Sequence, residues 1–532
     1  MRIYFKQKKA LFIFVSTLII INSLFSTLAG LASANALSEV AKRNGKQFFI
    51  WVAVMGGAYV SYAIVGYLIT IFKTKLKQEI DRLIRKNISQ RMEKTDYEGF
   101  HKQKVATYTS WMTNDITTIN NYGVDNFMMI IQQISEIIFG AITLAYFQIS
   151  LVITVAVLTV IMTIVPNLFS KWMSSRSLEL THANERLVNK INDILEGFNV
   201  LFLGNALRLI TKKIDQASLD VQDHTVDYAK AAGLTQAVTN GIAFLSQVII
   251  LAQTGFLILH NLTPVGTVSG AQYFAGTIFA ELSGISFNWQ EFKTVKPILN
   301  KFNKIKAQDK IKDNQDLSNQ QKTVAASDLS FKYPDAKKDV FNNLDLNFEA
   351  GKKYIIVGDS AAGKTTLLNL LSGLLRQYQG KLSLANIDYK SLSDKQLHDV
   401  IGYVQQVPYI FDASLRWNLT LGEDYPDAQL NEVIRQTGLE PLVKDLAGGL
   451  DGKLDVNKLS GGQKQRISFA RGLLRDKPIY LLDEFTSSLD KKSSLELEKL
   501  IMNKPNTTVI MITHHLHEVI AQMADKIVSV GE

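Results

Sequence analysis

Cysteine is absent from all 532 residues. That excludes disulfide cross-links, thiolate metal sites and an appended cysteine peptidase. The eight histidines are scattered, without the spacing of a metal cluster. Nine prolines build no Pro-rich tract, and no low-complexity stretch or internal repeat stands out. Charge is missing in long blocks. Windows over roughly 10–38, 47–72, 149–170 and 231–260 hold no Lys, Arg, Asp or Glu. Two more, roughly 126–148 and 262–289, hold one acid each, Glu136 and Glu281.

Each window is long enough to cross a hydrocarbon core at about 1.5 Å per helical residue. Six crossings is the simplest count. The first window has a basic leader, Met1 to Ala10, and could be read as a cleaved signal peptide. Its apolar run is longer than a signal core, which favours a retained span. Basic residues set the orientation: 73–125 carries ten Lys and Arg, and 171–230 carries eight. Turns near 149 and 261–265 have none, while Lys42, Arg43 and Lys46 are a local exception. The bias places both long segments and both termini in the cytoplasm of a multi-pass cell-membrane protein. The net charge of +9 fits such basic loops. Anionic lipid headgroups are their expected partner, and no nucleic acid is.

A carboxylate at bilayer depth is costly unless it meets water, a donor or a cation. Glu281 is therefore expected to face a central cavity and bias it toward cationic or polar cargo. A structural hydrogen bond to a neighbouring helix is the alternative. Glu136 is the second such exception, and either acid could instead lie near an interface.

The composition changes near residue 300. Residues 301–323 are polar and charged, a connector, and 324–532 read as a separate domain after a membrane domain over 1–300. Within it, Gly358, Asp359, Ser360, Ala361, Ala362, Gly363, Lys364 and Thr365 fit G-x-x-x-x-G-K-[ST], with Thr366 next. The apolar run Tyr354–Val357 precedes the loop, and Leu367–Leu371 starts a helix after it. Strand, glycine loop and helix let backbone N–H groups cradle phosphate oxygens. Lys364 should reach the terminal phosphates and the Thr365 hydroxyl should face Mg²⁺. Ile479–Leu482 forms another strand candidate, ending in Asp483 and Glu484. Asp483 can hold Mg²⁺ and Glu484 can act as general base on water.

These residues, with Leu459-Ser460-Gly461-Gly462-Gln463, resemble the ATP-binding cassette (ABC) family over roughly 324–532. The resemblance implies an α/β P-loop ATPase domain behind an all-α, six-helix membrane domain. It implies that Tyr333 stacks on adenine. Gln406 then takes the family's Q-loop position, sensing Mg²⁺, with Gln405 its adjacent competitor. Ser488-Leu489-Asp490 corresponds to the D-loop and His514 to the switch histidine near the γ-phosphate. His515 and His517 read as surface residues. Ser460, Gly461, Gly462 and Gln463 would serve the nucleotide of a second cassette, so a second half-transporter, identical or homologous, is implied. Trp111–Ile116 resembles the first coupling-helix region, and Leu203–Leu207 falls near the second. Two departures stand out: Ala361 replaces a usual glycine, and 451–458 is short before the signature. The implied function is ATP-driven transport of an unidentified cargo by an exporter-type dimer. An importer on the same fold and an ATP-gated regulatory membrane protein are the alternatives, although a gate has no need of Glu484 and His514.

Overall fold

A computed structural model of the chain describes residues 1–305, 315, 317, 320–334, 336, 338–359 and 362–530, apart from the side chains of 163, 166, 167 and 170. Ser360, Ala361 and most of the connector lie outside the described residues. The chain forms two compact units. One comprises Met1–Gln90 with Lys104–Lys304, the other Arg91–Gln103 with Ile305–Glu532.

The first unit is helical. Its long helices are α1 (Lys9–Ala41) and α2 (Gly45–Met92), and, after the short α3 (Tyr97–His101) that belongs to the second unit, α4 (Asn126–Phe147), α5 (Ile149–Glu196), α6 (Arg208–Leu259) and α7 (Thr267–Lys301). Among the described residues, four helices are long and apolar enough to cross a membrane: α1, α2, Val105–Phe147 ending in α4, and α6. A shorter apolar stretch, Ile149–Met162, opens α5. α7 falls short because Gln272, Glu281, Asn288 and Gln290 dilute its apolar character. Helices suit a lipid setting because every backbone group is satisfied within the segment. Hydroxyls follow the same rule: Thr17 donates to the Ile13 carbonyl at 3.0 Å and Thr254 to that of Ile250 at 2.6 Å.

α4 and α7 share a polar seam. Asn126 donates to Glu291 at 3.1 Å, and Asn288 donates to Gln133 at 3.1 Å. Two turns up α7, Glu281 has Gln133 and Glu136 as hydrogen-bonding neighbours, while Gln132 donates to Glu136 at 2.8 Å. Positions 281, 288 and 291 lie on one helical stripe. Glu281 thus meets Gln133 and Glu136 of α4, which is the structural hydrogen bond named as the alternative.

Among the described residues the second unit carries nine strands in two sheets. β1 (Val324–Phe331), β2 (Phe341–Phe348), β4 (Gln379–Leu384) and β5 (Ile387–Asp388) form an antiparallel sheet in the order β2-β1-β4-β5. β3 (Lys353–Val357), β6 (Ile401–Val404), β7 (Ile479–Asp483), β8 (Thr508–Ile512) and β9 (Lys526–Ser529) form a parallel sheet ordered β6-β7-β8-β3-β9. β7 and β8 are buried along their whole length, which explains their unbroken apolar runs. Helices α8 (Lys364–Leu371), α9 (Gly461–Leu474) and α10 (Lys491–Met502) follow the segments that matter most. α8 buries Leu367, Leu368, Leu370 and Leu371 in the core between the sheets.

The segment that joins the second unit from the membrane half is α3, and not Trp111–Ile116. Asp96 caps α3 by accepting from the Gly99 N–H at 2.8 Å, and Glu98 accepts from the Arg376 N–H at 3.4 Å. Trp111 stays in the first unit, edge-on to Tyr108 with centroids 5.4 Å apart and 6.0 Å from Phe302.

Candidate active site

The phosphate loop leaves β3 at Gly358 and enters α8 after Gly363. Gly358 has φ +155° and Gly363 has φ +85°, values that disfavour any side chain. Space forbids one as well. A Cβ on Gly358 would stand 2.3 Å from the Val530 carbonyl oxygen, and one on Gly363 2.6 Å from Val340. Asp359, Ala362 and Gly363 complete the described part of the loop. The buried Lys364 ammonium donates to the carbonyls of Gly358 at 2.7 Å and Asp359 at 2.8 Å. An ammonium has three donors, so one remains for a phosphate.

Asp483 and Glu484 end β7 with different surroundings. Asp483 is buried, 1% exposed, and that burial pushes its carboxyl above the usual range. The Glu484 charge adds to the rise; a hydrogen bond from Thr365 opposes it. Tyr403 approaches its Oδ2 at 3.5 Å. Oδ1 is buried with no hydrogen-bond partner among the described residues. An orphaned carboxylate oxygen beside the Thr365 hydroxyl is the donor set a hard cation takes, so the residues fit Mg²⁺.

Glu484 adopts φ +45°, uncommon for a residue with a side chain, and its N–H bonds the Ile512 carbonyl at 3.1 Å. That turn aims the carboxylate between two side chains. Gln406 donates to its Oε2 at 2.7 Å, and His514 Nε2 stands 2.8 Å from Oε1. A carboxylate only accepts, so Nε2 carries the proton. Four lone-pair positions with two taken leave room for a water. Gln406 is thus the glutamine that reaches the Glu484 carboxylate. His514 follows β8 in the expected register.

Tyr333 leans edge-on against Phe331, with centroids 4.9 Å apart, and its hydroxyl lies 3.1 Å from that of Thr366. The ring is 38% exposed, which leaves a face for an aromatic base. The signature opens α9 as a full capping box. Ser460 Oγ accepts from the Gln463 N–H at 3.1 Å, and the Gln463 side chain accepts from the Ser460 N–H at 2.9 Å. Gly461 and Gly462 lie in the first turn, against Ser488 and Leu489: a Cβ on Gly462 would come within 2.9 Å of Leu489. The fourteen-residue α9 begins at Gly461 and Gly462, and a helix N-terminus of this kind is suited to an anion.

Two residues are functional supports that motif reading misses. Gln465 donates to Ser487 at 2.8 Å and accepts from the Ser488 N–H at 2.8 Å, tying the signature helix to the D-loop. Glu498 of α10, 1% exposed, accepts from Thr486 at 2.8 Å and from Ser494 at 2.9 Å. His517 lies 3.9 Å from its other oxygen and is half-buried, so it is not a plain surface residue. The short 451–458 segment is anchored as well. Leu454 is buried and its N–H bonds the Ala413 carbonyl at 3.0 Å, while Arg416 pairs with Asp451 at 2.7 Å.

Residues 10–282 match the family model for the ABC transporter transmembrane region, and residues 341–487 match that of the ABC transporter. A Rickettsia typhi protein whose name gives it as an export ATP-binding/permease protein is 27% identical over 525 residues, covering 95% of this chain and 88% of that one. The ATP-dependent lipid A-core flippase of Salmonella typhimurium is 24% identical over 509 residues, covering 92% and 85%. The solved structure of a bacterial Atm1-family ABC exporter with ATP bound superposes with a TM-score of 0.78 at 19% identity, over 99% of this chain and 93% of the other. A helical transmembrane domain precedes a cassette that binds and hydrolyses ATP to drive transport, and the chain belongs to the ABC transporters.

Proposed function

We propose that two copies of this chain, or this chain and a homologue, export cargo by alternating access. The two cassettes close head to tail on two ATP molecules. The observation that carries the reading is the Glu484 carboxylate, held by Gln406 and His514 beside the orphaned Asp483 oxygen. In each copy Lys364 and the loop N–H groups bind the phosphates. Tyr333 supports the adenine. Asp483, Thr365 and Gln406 would hold Mg²⁺, which supplies charge neutralisation on the phosphates. Glu484 takes the proton of the attacking water. Ser460, Gly461, Gly462 and Gln463 offer their helix N-terminus to the partner's ATP.

The division of labour is a membrane domain over 1–300, a connector over 301–323 and a cassette over 324–532. α3, packed with the cassette, passes closure to the membrane half. The short helix Phe198–Leu203 supports a second copy: Val200 is 75% and Leu203 85% exposed, an apolar tip suited to a partner cassette. The basic segments supporting a cytoplasmic ATPase also suit anionic lipid headgroups.

Glu484→Gln tests the reading. The amide keeps the cradle but cannot take a proton, so turnover falls by about 10²–10⁴-fold while ATP affinity holds. Near-normal turnover in the homodimer removes Glu484 as the base.

A further inference from the structure

β6 lies beside β7, and the two strands run parallel with Tyr403 paired to Leu481. Two residues further on, Asp483 ends β7 at 1% exposure. The Tyr403 hydroxyl reaches two acceptors on two different elements. It donates to Asn369 Oδ1 of α8 at 3.0 Å and stands 3.5 Å from Asp483 Oδ2. A phenol has one proton, so it serves one of the two at a time. The ring packs against the core between the sheets. Burial, and after it the Asp483 charge, push the ionisation of Tyr403 far above the usual tyrosine range, so the hydroxyl stays a neutral donor.

A buried carboxylate that holds a cation through one oxygen needs a donor on the other. Asp483 Oδ1 has no partner among the described residues, which leaves it for the cation. Oδ2 is the oxygen within reach of Tyr403. Thr365 also bonds the Asp483 side chain, but its hydroxyl is assigned to the cation as well. Lys364 acts on Asp483 through its charge, with two of its donors committed to the carbonyls of Gly358 and Asp359. The terminal torsion of an aspartate is soft, so a carboxylate with nothing on Oδ2 rotates easily. We infer that Tyr403 is a positioning residue for the metal: its hydroxyl passes its hydrogen bond from Asn369 to Asp483 Oδ2 and so fixes Oδ1 toward Mg²⁺. The inference rests on the assignment of Asp483 to Mg²⁺ in the proposed function.

The test uses the full-length protein in phosphatidylcholine nanodiscs and reads TNP-ATP affinity by fluorescence, once with Mg²⁺ and once with EDTA. The ratio of the two affinities measures how far the metal tightens nucleotide binding. Tyr403→Phe keeps the ring and removes the hydroxyl. It should cut that ratio by about tenfold or more while affinity in EDTA stays at the wild-type value. The Mg²⁺ concentration for half-maximal ATPase should rise in parallel. Asn369→Ala frees the hydroxyl for Asp483, so the ratio should hold or increase. A wild-type ratio in Tyr403→Phe overturns the inference. So does an equal loss in both variants, because the hydroxyl then acts through Asn369 as an ordinary core hydrogen bond. Asp483→Ala tells the two readings apart and should erase the tightening by metal. If it keeps the wild-type ratio, the assignment of Asp483 to Mg²⁺ fails and takes the inference with it. If it erases the ratio while Tyr403→Phe preserves it, the positioning role alone falls.

Discussion

Glu498 offers a test of how α10 supports the catalytic loop. Its carboxylate is buried and accepts two hydroxyl hydrogen bonds, one from Thr486, two residues past Glu484. Glu498→Leu keeps the volume and removes the acceptor. Two hydroxyls then lose their partner at about 1 kcal/mol each, so about 2 kcal/mol in all. A domain of cassette size shifts its melting temperature by about 2–4 °C per kcal/mol, so a drop of about 4–8 °C follows. Glu498→Gln is the control, because its amide oxygen can accept from both hydroxyls. It should melt within about 2 °C of wild type. Calorimetry of the full-length protein reads the first quantity, and steady-state ATPase the second. Thr486 lies on the strand-to-D-loop turn, so Leu should lower kcat more than it raises KM, while Gln leaves both close to wild type. If Leu melts and turns over like wild type, Thr486 is held by the backbone alone. If Gln is as damaging as Leu, the negative charge matters, and hydrogen-bond acceptance is the wrong account.

Three further outcomes follow from the same geometry. Lys364→Ala removes the remaining phosphate donor and two loop contacts, so ATP affinity falls by about 10–100-fold in a binding titration; unchanged affinity contradicts its role. Tyr333→Phe keeps the ring but loses the bond to Thr366, so affinity drops by up to about tenfold, less than for Tyr333→Ala, which loses the ring as well. Lys353 is buried, donating to the carbonyls of Lys504 at 2.8 Å and Thr507 at 2.5 Å, and burial pushes its ammonium down to about 8 from 10.5. Between those values the unfolded chain binds the extra proton, so stability relative to Lys353→Met rises with pH over that window. Melting curves at pH 7.5 and 9.5 check the sign, and a fall in that difference refutes it.

The cassette was legible because phosphate chemistry imposes local spacing. A loop that must reach φ +155° and +85° needs glycine at 358 and 363, and a buried apolar strand ending in Asp483-Glu484 sets two carboxylates side by side. Such constraints are written within a few residues. Gln465 and Glu498 were not legible, because their partners lie 23 and 12 residues away and depend on how helices pack back on the D-loop. The same holds for His517: its neighbour Glu498 is set by the fold and not by any motif.

The membrane half shows the limit from the other side. Long apolar windows announce helices because hydropathy is a sum over neighbours. Which way one polar residue faces is a question of rotation, and a helix that is apolar nearly all round carries little amphipathic signal to answer it. Glu281 faces α4 because Asn288 and Glu291 share its stripe and meet Gln133 and Asn126 there. The seam is visible once 126, 133, 281, 288 and 291 are read as pairs, and invisible when each window is read alone. α3 fails for a different reason. Five residues within a charged stretch have no periodicity to find, and the Asp96 cap on Gly99 is the single local mark of a helix. Trp111–Ile116, more apolar, drew the assignment instead, and its aromatic residue is spent on Tyr108 and Phe302 within the membrane unit. Apolar content says that a segment packs somewhere. The Glu98 contact to Arg376 is what identifies the segment packed with the cassette.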